Sequence, residues 1–310
     1  MRLRIYQTLV FLVILFLGGI GYGGTTVRFG ILPVVDTLPL WVALEKGFFE
    51  KQEIDIRIVP FQSALERDAA LQAGKLDGYF GDIVNTVLMV RSGLDLGIMT
   101  TAFHTHPKHR MFGIVSAPGS GIKRLSELQG KQVAISSATI IEYLLDRILL
   151  SKDLPFDFVE KLEIKKIPVR VQVLLADQVP AALLPEPLIT LAQTKGAHVL
   201  ADDRDLDLCL TVLALKRDII KRDRSFVDRF LTAYDSAVRA INHDPDSFKG
   251  TMISRTRLPE IIRDRYKPPI FPEADLPSKK DVEAAQKWII QSNREGRPIP
   301  YHRIVLTTTE

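Results

Sequence analysis

An α/β fold in two units is predicted, on three observations. Strand-like apolar runs alternate with helix-like segments from Thr26 onwards, the rhythm of parallel strands joined by crossover helices that cover a sheet. The rhythm restarts near "MFGIVSAPGSGI", where Pro118, Gly119 and Gly121 punctuate the chain. Finally, 310 residues of which 46% are apolar supply more core than one ordinary domain needs.

In chain order, "TVRFGILPV" reads as the first strand. "LPLWVALEKGFFEKQE" reads as one helix, because Leu40, Ala43, Leu44 and Phe48 recur on one face. "IDIRIVPF" alternates and forms the second strand. Ser63 stands three residues before Glu66, a capping box, and Gly74 closes the helix that follows. "KLDGYFGD" and "DLGIMTTAF" are strands on either side of a helix from Ile83 to Ser92. In the second unit "LSELQGKQVAISSATIIEYLLDRILL" reads helix, strand, helix, and "KLEIKKIP" is a strand. "VQVLLADQ" is a helix, and "AALLPEPLITLAQTKG" a strand end followed by another. "HVLADDRDLDLCLTVLALKRDII" returns through apolar strands to an amphipathic helix, "RSFVDRFLTAYDSAVRAINHDP", and the tail carries a last helix near Lys279 to Ser292.

Charge and composition narrow the function. The 41 basic residues are nearly offset by 37 acidic ones, and the only local basic run is "HTHPKHR" at His104 to Arg110, so no nucleic-acid partner is expected. Met1-Arg-Leu-Arg4 precedes an apolar stretch from Leu9 to Ile20, the layout of a secretory signal ending near Gly23 or Gly24. Residues 1–24 are therefore expected to direct export, with an uncleaved membrane anchor as the alternative. Cys209 is the single cysteine, which excludes an internal disulfide and Cys-rich zinc sites. It lies in the apolar run "LDLCLTVLAL", where burial is expected. His104, His106 and His109 have no acid or cysteine beside them, and no G-x-S-x-G, Walker A or H-E-x-x-H motif occurs. No catalytic residue, metal or cofactor is expected.

Several blocks together resemble the solute-binding proteins of ABC importers for nitrate, sulfonates, taurine and thiamine-type pyrimidines. They are "LPLWVALEKGFFEKQEIDIRIVPF", "SALERDAALQAGKLDG" from Ser63 to Gly78, "LSELQGKQVAIS" and "LLPEPL" at Leu183 to Leu188. The resemblance implies the type II periplasmic-binding-protein fold, two α/β lobes with a hinge and a ligand cleft between them. It also implies that the chain crosses between lobes twice. Lobe I would then be residues 25–112 plus 211–310, and lobe II residues 113–210. The implied function is capture of a small polar organic molecule outside the cytoplasm, in the periplasm, and delivery to an ABC permease in the inner membrane, by a monomer that is not an enzyme. A pyrimidine-processing enzyme on the same fold and a membrane-anchored sensor or accessory subunit are the alternatives.

In such sheets ligands sit beyond the carboxyl ends of strands, where helix N-termini offer free N–H groups. The sequence places such junctions at Thr37, Leu38 and Pro39, at Ser63, at Asp82, from Ser136 through Ser137 to Thr139, and at Glu186. Each could equally be an ordinary helix cap. Glu142, just inside its helix, and the aromatic rings of Trp41 and Phe112 complete the candidate set. Glu186 resembles a position beside the cleft in relatives. Three carboxylates, Asp82, Glu142 and Glu186, would repel an anion and suit an amine or amidine edge, which favours a nitrogenous or zwitterionic ligand over a simple sulfonate.

Overall fold

A computed structural model describes residues 26–256, 258–292 and 296–307, which form two five-stranded mixed sheets flanked by helices. The first sheet begins with β1 (Val27–Ile31), β2 (Ile56–Pro60), β3 (Gly78–Gly81) and β4 (Leu96–His104). The second holds β5 (Phe112–Ser116), β6 (Gln132–Ile135), β7 (Glu160–Glu163), β8 (Ala181–Pro185) and β9 (Val199–Asp202). β10 (Cys209–Lys216) then returns to the first. The strand orders are β2-β1-β3-β10-β4 and β7-β6-β8-β5-β9. Each sheet carries one reversed strand, β10 between β3 and β4 and β5 between β8 and β9, so both are mainly parallel as expected. The expected export signal, residues 1–24, lies outside the described residues. Among those described, no helix is long and apolar enough to cross a membrane.

Helices α1 (Leu38–Glu45), α2 (Phe48–Lys51), α3 (Ala64–Gln72) and α4 (Ile83–Arg91) belong to the first sheet. α5 (Ile140–Leu150), α6 (Ile167–Leu175) and α7 (Leu188–Thr194) belong to the second. After β10 come α8 (Arg217–Arg222), α9 (Phe226–His243), α10 (Lys249–Thr256), α11 (Lys279–Gln291) and α12 (Tyr301–Ile304). The single helix expected over Leu38 to Glu53 is broken by Gly47, whose φ of +68° is open to glycine at little cost and stops α1 before α2 begins. Leu44, placed by periodicity on the buried face, is exposed, because α1 is buried from Leu38 through Ala43 and has no single apolar stripe to read.

α9 is the reverse case. Phe226, Phe230, Ala233, Tyr234, Ala237, Val238 and Ile241 share its buried face. The Phe230 ring lies 5.6 Å from Phe29 of β1 and 5.1 Å from Phe49 of α2. The C-terminal third thus packs onto the N-terminal sheet, each aromatic pair adding about 0.5–1.5 kcal/mol beyond its buried area.

Two segments link the sheets, one between β4 and β5 and one between β9 and β10, and they run tied together. Thr105 N donates to Leu208 O over 2.9 Å, and Leu208 N donates to Thr105 Oγ1 over 3.0 Å. Further along, Met111 N donates to Asp203 Oδ1 over 3.0 Å. Asp203 is fully buried, and burial pushes its carboxyl up to about 7.

Candidate ligand-binding cleft

Parallel strands that end in helix caps gather polar groups at their carboxyl ends. Both sheets turn those ends towards each other, and a cavity of about 50 Å³, space for a few water molecules, lies between them. From the first sheet its wall takes Val34 and Asp36 after β1, Arg67 of α3, and Gly81 and Asp82 after β3, with Thr211 from the start of the reversed β10. From the second come Ser136 and Thr139 after β6, Lys165, Ile167 and Arg170 after β7, Pro185 of β8, and Phe112 at the start of the reversed β5. Beside this cavity two contacts join the sheets. Ile167 N donates to Gln62 O over 3.4 Å, and Lys166 Nζ lies 3.3 Å from Glu66 Oε1.

Four buried charged groups set its electrostatics. Arg67 is satisfied within the first sheet: Nη1 donates to Phe80 O over 2.7 Å, Nη2 to Asn85 Oδ1 over 2.9 Å, and the Asp68 carboxylate takes Nε. Its guanidinium lies 4.7 Å from the centre of the Tyr79 ring, and a Cβ on Gly81 would meet that ring at 2.3 Å, so the stack needs glycine there. Arg170 is different. Its Nη1 donates to Ile164 O over 3.0 Å, while Nε and Nη2 are buried without a hydrogen-bond partner. Burial lowers its pKa to about 10, so it stays charged. Asp36 accepts from Thr211 Oγ1 over 3.0 Å, and burial pushes its carboxyl up to about 7. Asp82 caps α4, accepting from Asn85 N over 2.8 Å, and burial lifts it to about 6 against the pull of Asn85 N–H, Arg67 and Ile140 N–H.

A buried guanidinium with two unused donors is unfavourable unless something else uses them. A match to the family model described as NMT1/THI5 like covers residues 35–248, and with them every residue named above on the cavity wall except Val34. The chain belongs to the NMT1/THI5-like family. Comparison with curated proteins finds no match in sequence.

Solved structures similar to this NMT1/THI5-like chain share its fold. The alkanesulfonate-binding protein SsuA from Xanthomonas axonopodis pv. citri, bound to MOPS, has a TM-score of 0.76 at 18% identity, over 91% of this chain and 96% of that one. The periplasmic aliphatic sulphonate binding protein SsuA from Escherichia coli has a TM-score of 0.75 at 18% identity, over 91% and 97%. The ligand-binding component of an ABC-type import system from Staphylococcus aureus, with zinc bound, has 0.75 at 15%, over 91% and 96%.

The candidate residues of the NMT1/THI5-like chain divide into three groups. Asp82, Phe112 and Thr139 line the cavity. Ser63 and Ser137 stand beside it. Ser63 caps α3, accepting from Glu66 N over 3.2 Å, and Ser137 turns outward, its N–H donating to Glu163 Oε2 over 2.9 Å while Ser136 takes the wall. The others do not reach it. Thr37, Leu38 and Pro39 are buried, and the Thr37 hydroxyl donates to Val34 O over 2.7 Å instead of capping α1. Trp41 lies under the Arg255 guanidinium, 4.7 Å from its ring centre. Glu142 accepts from Ala138 N over 2.8 Å and pairs with Lys161 at 3.3 Å. Glu186 pairs with Arg110 at 2.6 Å and accepts from the Thr190 hydroxyl at 2.9 Å; it borders a separate basic pocket with Lys108, His109 and Lys267.

Asp36, Arg67, Lys165 and Arg170 were not among the candidates. For Asp36 and Arg170 the signal was present: "LPVVDTLPL" and "IPVRVQVLL" each carry one charge in an apolar window, and such a charge must be paired, snorkel to water, or serve a ligand.

Proposed function

We propose that this protein is an extracytoplasmic solute-binding protein that captures a small organic oxyanion between two lobes and delivers it to the permease of an ABC importer. The lobes correspond to the two sheets, hinged at the paired segments around Thr105–Leu208 and Met111–Asp203. The observation that carries the reading is Arg170, buried on the cavity wall with Nε and Nη2 unpartnered. A guanidinium fork suits a carboxylate or sulfonate, which accepts two parallel N–H bonds. Similarity in fold to sulfonate-binding proteins supports the same class. In this reading the ligand bridges the lobes and prefers the closed state, and that preference drives closure.

Binding rather than turnover is the proposed role. Cys209 is buried, and burial pushes its thiol well above the ordinary range, which removes the one thiol as a nucleophile. Among the described residues no group of three or more His, Cys, Asp or Glu side chains is arranged to hold a metal.

The test is a thermal-shift and calorimetric screen of the exported protein against short alkanesulfonates, carboxylates and aminopyrimidines. An oxyanion hit is expected, and Arg170→Gln should weaken it by about 100-fold, the loss of two charge-assisted hydrogen bonds. An aminopyrimidine hit that Arg170→Gln leaves untouched would sink the oxyanion reading while keeping the binding role.

A further inference from the structure

We infer that the hinge carries a second binding site, for a phosphate-type oxyanion, formed by Lys108, Arg110, Arg204 and Lys267 outside the cleft. These side chains border a pocket of about 240 Å³ that is open to solvent, with Glu186 and Tyr266 in its wall. None of its wall residues lines the cavity between the sheets, so the site stands apart from the Arg170 seat. Lys108 and Arg110 belong to the link between β4 and β5, and Arg204 to the link between β9 and β10. Lys267 belongs to the segment between α10 and α11, whose turn Glu260–Ile262 packs on α7 of the second sheet. An anion held by all four ties both links to that segment, so its binding and the hinge's opening are coupled.

The charges in this pocket do not cancel. Four cations stand against the two carboxylates bonded to them, Glu186 and Asp202, and both carboxylates are already engaged. Arg110 Nε donates to Glu186 Oε1 over 2.6 Å, and the Thr190 hydroxyl to Glu186 Oε2 over 2.9 Å. Arg204 grips Asp202 as a fork, Nε to Oδ1 over 3.0 Å and Nη2 to Oδ2 over 2.7 Å; against its burial, these bonds hold that carboxyl below the ordinary range. Asp203, next in the chain, turns inward to Met111 N. Lys108 and Lys267 are exposed and, among the described residues, make no ion pair. Asp246, the acid that feels Lys267, is paired with Lys249 at 2.7 Å. Tyr266 distinguishes the pocket from a solvated basic loop. It is 8% exposed, and the charges around its phenol are Glu186 and Arg110 of this pocket and Asp36 of the cleft. His109 adds a neutral ring, its pKa lowered by burial and by His106 and Lys108. Lysine and arginine heads are the usual partners of phosphate oxygens, and a small dianion balances the excess of two.

Calorimetry and thermal shift of the full protein test the site, with inorganic phosphate as the probe and chloride at equal ionic strength as the reference. Phosphate should bind saturably and raise the melting temperature above that in chloride. Lys108→Ala combined with Lys267→Ala should weaken phosphate about tenfold or more, through loss of two charge-assisted contacts. Neither lysine makes an ion pair within the protein, so the double variant should melt in chloride as the parent does. Lys75→Ala with Lys131→Ala removes equal charge from other exposed positions and should leave phosphate binding unchanged. Arg170→Gln should also leave it unchanged, which keeps the fate of this site separate from that of the cleft. Glycerol 3-phosphate as a second probe assigns the source: tighter binding than phosphate marks a phosphomonoester site, weaker binding one for the free ion. Phosphate that stabilises no more than chloride, or that still binds after loss of both lysines, overturns the site. So does binding that disappears in Arg170→Gln alone, which would move the phosphate into the cleft.

Discussion

The indole N–H of Trp288 donates to Asp146 Oδ2 over 2.8 Å, and this bond joins the two halves of the molecule. Trp288 belongs to α11, which packs on α4 of the first sheet; Asp146 belongs to α5 of the second. Lys161 of β7 pairs with the same carboxylate at 2.7 Å, and the Trp288 ring meets Tyr143 edge-on at 5.3 Å. Asp146 is almost wholly buried, and burial raises its pKa despite both partners.

Removing this carboxylate takes the acceptor from the Trp288 indole N–H and leaves Lys161 with Glu142, at 3.3 Å. Asp146→Ala should destabilise the protein by on the order of 3 kcal/mol, as expected when one member of a buried pair is lost. Urea unfolding measures it. A change below about 0.5 kcal/mol would mean that the bond contributes nothing to holding the halves together.

Trp41 and Trp288 are the two tryptophans, and only the second lies between the sheets. In a Trp41→Phe background, ligand binding should change the remaining emission if the sheets rearrange on binding. An unaltered spectrum at saturating ligand would indicate a cavity that fills without movement at α11.

Three buried carboxyls give a pH dependence whose sign is fixed. Asp36 and Asp203 are pushed up to about 7 and Asp82 to about 6, above the ordinary aspartate value near 4. Between pH 4 and pH 7 the folded state therefore binds more protons than the unfolded one. Their contribution is complete below pH 4 and is lost as pH rises through 6 to 7. The ligand-free protein should melt at a higher temperature at pH 5 than at pH 7.5. Asp203→Asn, which can still accept from Met111 N, should flatten part of that slope. A melting temperature that rises with pH over this range would contradict the assignment.

The Lys166–Glu66 pair is half-exposed, so removing it should change stability by less than about 1 kcal/mol. Charge reversal is more informative. Lys166→Glu places two acids where the sheets meet beside the cavity, and stopped-flow release of ligand should quicken several-fold at low salt, the difference fading as ionic strength rises. Release that is unchanged at low salt would exclude this contact from the closing motion.

Glu186→Gln separates the cavity from its surroundings. The glutamine keeps an acceptor for Thr190 and loses the charge facing Arg110, so stability should fall by about 1–2 kcal/mol while ligand affinity stays within about twofold. A tenfold loss of affinity at intact folding would bring Glu186 into the site after all.

Local chemistry was legible in the sequence and long-range pairing was not. Ser63, Asp82 and Thr139 could be read as caps because the relevant backbone N–H lies two or three residues away. The charge balance of the cleft could not be read in this way. Glu142 is neutralised by Lys161, 19 residues on, and Glu186 by Arg110, 76 residues back. Conversely, the lone charge of Arg170 in its apolar window leaves open in sequence whether its head reaches water; it is the burial of α6 against the second sheet that denies it water and leaves Nε and Nη2 without hydrogen-bond partners. The return of β10 to the first sheet was likewise visible only through family resemblance, since an apolar strand carries no mark of which sheet it will join.

That return has a consequence for biosynthesis. β10 is the neighbour of both β3 and β4, so β4 has no hydrogen-bonded strand beside it until residues 209–216 have been made. All five strands of the second sheet precede that point. A chain emerging from the ribosome can therefore complete its second sheet first, while the first stays an open, unfinished edge through two-thirds of synthesis.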